Sequence, residues 1–158
     1  MPKVSNNRAA KFLHLADVRS GPQAVLFSAM LLFTTACARH KIISAEELHS
    51  ELAAAISLAA ETETFLEMVR QGRTTPAFAQ GHLQYLADEA NRSLKDFHES
   101  VPAPDIQAKF PDARTLVHSL ALQLTATGTA LNDREALNSA QQHIAKIRQA
   151  LAEIQSSL

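Results

Sequence analysis

The sequence predicts an all-α protein, an antiparallel up-down-up-down four-helix bundle behind an N-terminal signal segment. Three observations lead there. Apolar residues recur in alternating steps of four and three through most of residues 45–158, the spacing of a helix with one buried stripe. Gly (4) and Pro (6) are too few for a turn-rich all-β chain. The joints at 72–75 and 132–133 are short, and short joints force neighbouring helices to run antiparallel.

Each helix carries its own punctuation. Ser44-Ala-Glu-Glu47 is a capping box, so the first helix is expected over about 45–71, with Gly72 beyond its end. Thr75 as N-cap and Pro76 in the first turn open a second helix to about residue 100, before Val101-Pro-Ala-Pro104. A short helical turn is expected over Asp105 to Phe110. Pro111-Asp112 opens a third helix, about 112–131. Asn132 and Asp133 are expected to cap the fourth, about 134–158, with Glu135 completing an Asn132-x-x-Glu135 box.

The seams follow. Helix one reads Leu48, Leu52, Ala55, Ala59, Thr62, Leu66, Val69. Helix two reads Ala79, Leu83, Leu86, Ala90, Leu94 or Ser93, Phe97. Helix three reads Ala113, Val117, Leu120, Leu124, Thr127, Leu131. Helix four reads Leu137, Ala140, Ile144, Ile147, Leu151, Ile154, Leu158. A 3.5-residue period suits shallow left-handed crossings, and flanking Ile56, Leu58, Phe65 and Leu116 widen the stripe to a bundle core. Ala55, Ala59, Ala90 and Ala140 allow close helix axes. Thr62 and Thr127 can donate to carbonyls of their own helices.

Composition bounds the function classes. The chain has 158 residues and a formal net charge of −1, enough for one ordinary domain and without a basic nucleic-acid surface. Apolar residues at 46% and charged residues at 20% exclude intrinsic disorder. One cysteine excludes an intrachain disulfide or a multi-cysteine zinc site.

That cysteine lies at a telling place. Lys3, Arg8, Lys11 and Arg19 precede the uncharged 13-residue run Ala24–Ala36, which is shorter than the roughly 20 residues of a spanning helix. A basic segment, a short apolar run and small residues form a secretory signal. Thr34-Thr-Ala-Cys37 resembles the bacterial lipoprotein signal, with Thr34 where that class usually has Leu. The resemblance implies cleavage before Cys37 and lipidation of Cys37. Residues 1–36 are then a signal peptide, 37–43 a tether and 44–158 the bundle, in the bacterial cell envelope. Ala36-Cys37-Ala38 also reads as an A-x-A site, and cutting after Ala38 would release a soluble secreted protein. Residues 1–36 carry +3, leaving a remainder of −4, poorly suited to phosphate backbones.

Catalytic patterns are missing: no Gly-rich phosphate loop, no G-x-S-x-G and no H-E-x-x-H. No catalytic residue, metal ligand set or resident cofactor is expected. The lack of C-x-x-C-H excludes covalent haem of the cytochrome c′ type. One Glu-x-x-His, Glu46 to His49, falls short of the two pairs of a di-metal bundle. His14 lies in the leader and His40 in the tether. Helical phase turns His98 and His118 outward. It places His82 and His143 at the flank of the core, at nearly one height on diagonal helices, the sequence's candidate level for a small ligand, metal or haem. Glu61, Glu63 and Glu67 read as one solvated acidic face.

Met68, Phe78 and Tyr85 occupy positions the seams do not claim, near the joint of helices one and two, and Leu122 also faces outward. Such a cluster reads either as local packing around the loop or as a contact surface for a partner or a second copy. The function expected is therefore non-enzymatic: an envelope protein acting through contacts with a protein partner or a second copy, held to the membrane by its lipid. No nucleic-acid partner is expected.

Overall fold

A computed structural model of the chain describes residues 41–158. The signal segment, Cys37, His14 and His40 lie outside the described residues. Among the described residues the order is β1 (Lys41–Ile43), α1 (Ala45–Arg70), α2 (Pro76–Glu99), β2 (Ser100–Pro102), α3 (Phe110–Thr129) and α4 (Arg134–Ser156). The four helices form an up-down-up-down bundle. α1 packs most extensively on α4, and α2 on α3. None of the described helices is long and apolar enough to cross a membrane.

The helix ends follow the local chemistry. Ser44 Oγ accepts the Glu47 N–H at 3.2 Å, and Glu47 accepts the Ser44 N–H at 3.0 Å, closing the capping box. The Ser44 N–H holds the Glu47 carboxyl below its ordinary pKa against the opposing effect of desolvation, and Lys41 adds to the lowering. At the other end of α1, Gly72 has φ +67°, the left-handed conformation that glycine adopts without a Cβ clash. The Gly72 N–H donates to the Val69 carbonyl and the Arg73 N–H to that of Met68, completing a Schellman turn. Thr75 Oγ1 accepts the Phe78 N–H, capping α2 above Pro76.

α4 corrects the expected cap. Asp133 alone is its N-cap, accepting the N–H groups of Glu135 and Ala136, so Glu135 falls one position short of a box. The helix stops at Ser156, and Leu158 lies beyond it, 37% exposed rather than on the seam. α3 starts at Phe110, two residues earlier than expected. The turn before it feeds it directly: Phe110 donates to the Ile106 carbonyl, and Lys109 caps without a side-chain bond.

A parallel ladder joins two segments expected as tether and loop. Lys41 pairs with Ser100, Ile42 with Val101 and Ile43 with Pro102. The Ala103 N–H donates to the Ile43 carbonyl at 3.0 Å, just beyond the proline that has no N–H to give. Ile43 is buried and Ile42 is 69% exposed, the alternation of a strand with one covered face.

The core has two stacked parts. One lies towards the joints at 71–75 and 130–133 and holds Leu66, Leu83, Leu86, Leu120, Leu124 and Ile144. The other lies at the strand end, with Leu48, Leu52, Phe97, Phe110 and Leu151 around Ile43. Leu94 and Ile147 pack against both. Thr62 and Thr127 are buried and donate to the carbonyls of Leu58 and Gln123, so neither hydroxyl is orphaned.

Candidate functional site

α1 and α2 meet less closely than α1 and α4 or α2 and α3. The difference is legible in the side chains. On α1 the face towards α2 carries Ala54, Ala55 and Ser57, and on α2 the facing positions include Ala90 and Ser93. Small side chains here do not draw the axes together. They leave a cleft of about 430 Å³, with Leu58, Val117 and Leu120 among its apolar lining. That volume falls in the range of small-molecule sites.

Above the cleft, towards the 71–75 joint, stands an aromatic cluster. Phe78, His82 and Tyr85 follow one another at i, i+4 and i+7, so α2 presents them on one face. The rings of Phe78 and His82 are nearly parallel, 6° apart with centroids at 5.8 Å. Tyr85 stacks on the other side of His82 at 6.0 Å. Beneath them Phe65 of α1, itself buried, meets His82 at 4.3 Å and Phe78 edge-on at 6.0 Å. His82 Nε2 lies 3.3 Å from Glu61 Oε1, a contact from α2 back to α1. Phe78 and Tyr85 remain 59% and 54% exposed, whereas soluble domains usually scatter rather than cluster such residues.

The sequence candidates divide. Phe78 and Tyr85 are both exposed. Met68 is not an outward residue: it is half-buried and packs against the upper core, lining a smaller pocket with Phe65 and His82. The seam had excluded it because the widened α1 stripe reaches one residue further round than a heptad allows. Leu122 is exposed, away from this patch on α3. His98 and His118 are exposed.

His82 and His143 part company. His82 belongs to the aromatic cluster, whereas His143 is exposed on α4, diagonal to α2 across the core. Each precedes a seam residue, but α1 covers the flank of α2 at His82, and among the described residues none covers the flank of α4 at His143. Among the described residues, no three His, Cys, Asp or Glu side chains are grouped to hold a metal ion.

The acidic face expected on α1 is divided among different partners. Residues two apart on a helix point in nearly opposite directions. Glu61 therefore turns to His82, while Glu63 meets Arg148 of α4 at 2.6 Å. The Glu63 hydrogen bond and charge hold the Arg148 guanidinium above its ordinary pKa. Glu67 binds Arg70 and Gln71, and Arg70 also donates to Gln141, tying α1 to α4. No family model, curated protein or solved structure matches the chain.

Proposed function

We propose that this is an exported, lipid-anchored protein of the bacterial envelope that acts through protein–protein contacts made by the aromatic ridge of α2. The observation that carries this reading is the exposure of Phe78 and Tyr85 on either side of His82, on a helix whose opposite face is core. Aromatic side chains offer large contact area with few torsions to freeze, and they dominate binding hot spots. The His82 ring between them holds the ridge in shape before a partner arrives, which lowers the ordering cost of binding.

The Thr34-Thr-Ala-Cys37 signal supports the anchor. Lipid attached at Cys37 would tether the bundle close to β1, at the strand end. α1 has 26 residues, about 39 Å of helix, and the ridge sits near its far end.

The test is capture in the native cell. Mild crosslinking of the wild-type chain, with labelled fatty acid supplied, should yield a lipidated protein joined to a defined partner or to a second copy. Phe78→Ser with Tyr85→Ser should fold with an unchanged helical signal and lose that adduct. An intact adduct in the folded double variant would sink the contact reading. Absence of labelled fatty acid from the wild type would sink the anchor.

A further inference from the structure

α2 carries a glycine that its own fold does not use. Gly81 lies in the helix interior, and a Cβ placed there meets no atom within 4 Å. Its φ is not in the left-handed region. Glycine weakens a helix interior relative to alanine, so an intramolecular reason is expected and none is present among the described residues. Gly128 is equally open, but it lies in the last turn of α3, where the helix is ending.

The surroundings of Gly81 differ from an ordinary solvated face. Ala77, Phe78, Gln84, Tyr85 and Asp88 lie within about 60° of it around the axis, at 3.6 residues per turn, and all are exposed. From Pro76 to Ala87 there is no Asp, Glu, Lys or Arg. Gly81 is thus a notch flanked by two exposed rings. The side chains at a helix crossing set how near the axes come, and a missing one lets them close.

Two charges border this face. Asp88 accepts the Gln84 side chain of its own helix at 2.8 Å and makes no ion pair among the described residues. Arg73, just ahead of α2, is exposed and is also without an ion pair among them. The first turn of α2 holds no acid.

We propose that this face binds a second copy of this chain, the two α2 helices crossing antiparallel about a two-fold axis at Gly81. The proposal rests on the ridge being a contact surface and commits that surface to one partner. A two-fold sets each residue opposite the one equally far beyond Gly81. Tyr85 of each copy then lies over Ala77 of the other, and Phe78 beside Gln84. Asp88 stands about 10 Å along α2 from Gly81, which brings it to the start of the other α2, where Arg73 is. The contact forms twice, once at each end. The two Asp88 carboxylates stay about 20 Å apart, so the face meets itself without opposing like charges.

Sedimentation equilibrium of the full chain in nonionic detergent should give a monomer–dimer equilibrium. Gly81→Leu fills space that is empty in the single chain, so the helical signal should persist and the melting midpoint hold or rise. Dimerisation should weaken about a hundredfold, because the axes can no longer close. Asp88→Arg should weaken it about tenfold, and Asp88→Arg with Arg73→Asp should return it to within about twofold of the wild type. A wild type that stays monomeric overturns the proposal. So does a folded Gly81→Leu that dimerises like the wild type, or a charge swap that restores nothing. If Gly81→Leu unfolds the bundle, the charge swap decides alone. A monomeric wild type that still forms a cellular adduct with a different protein, lost in the Phe78 and Tyr85 double variant, overturns the self-pairing and leaves the contact reading in place. Absence of both removes both.

Discussion

The imidazole of His82 is nearly parallel to the ring of Phe78 one helical turn away, with 6° between the planes and 5.8 Å between the centroids. Phe65 and Tyr85 enclose the same imidazole from two further sides. Aromatic pairs contribute about 0.5–1.5 kcal/mol each beyond their area. His82→Ala is therefore expected to lower stability by about 1–2 kcal/mol. His118→Ala and His143→Ala, at exposed helical positions, should each change it by less than about 0.5 kcal/mol. All three gain the same helix propensity, so that term cancels. Urea midpoints of the three variants check the difference, and equal losses would remove His82 from any structural role.

The strand pairing makes a second sharp contrast. Ile43 is 2% exposed and packs with Leu48 and Leu52, whereas Ile42 points away. Ile43→Ala should cost about 2–5 kcal/mol and Ile42→Ala well under 1 kcal/mol. Comparable losses at both positions would mean that β1 does not hold this register.

The seams of all four helices were legible because a periodic stripe is a property of one chain segment. Leu48, Leu83, Leu120 and Ile144 were assigned to the core from spacing alone, and each is fully buried. What lay between helices was not legible. Ala55 and Ala90 read as permitting close approach; both are buried in the core, and both also border the cleft between α1 and α2. Side-chain size bounds how near two axes can come, and the packing of the other pairs decides how near they do. β1 was missed for a related reason. Three residues, Lys41-Ile-Ile43, are too short to show a period of two, and their partner is nearly sixty residues away. The His82 cluster needed Phe65 from another helix, so phase could not separate His82 from His143. The reading of the leader as a signal falls on residues outside those the structure describes.

Glu63 and Arg148 form the charged link between α1 and α4, with side chains 21% and 40% exposed. A pair this open to water is screened. A double-mutant cycle with Glu63→Gln and Arg148→Met should give a coupling below about 1 kcal/mol, shrinking further in 1 M salt, where the screening length is about 3 Å. A coupling that survives high salt unchanged would show that the link is drier than its exposure implies.

Glu47 sets an acid-side dependence. Its folded pKa is depressed, first by the Ser44 N–H. The contribution is complete above the unfolded glutamate pKa of about 4.3 and is lost as pH falls through the lower folded value. Thermal midpoints taken from about pH 6 down to about pH 3 should fall less steeply in Glu47→Gln than in the wild type. Identical slopes would show that the cap's ionisation is not linked to folding.

The pairing of α1 with α4 has a consequence in time. The Glu63–Arg148 bond spans 85 residues of sequence, and the Gln155 side chain reaches the His49 carbonyl across 106. α2 and α3 have each other as extensive partners long before that, separated only by residues 100–109. In a growing chain the α2–α3 pair can close early. α1 must wait for the last helix to be made, because its widest partner does not yet exist. Contacts of such long separation slow folding, since the loop must close before they form. Until α4 has been made, α1 lacks the helix it packs on most extensively, and the bundle cannot lock.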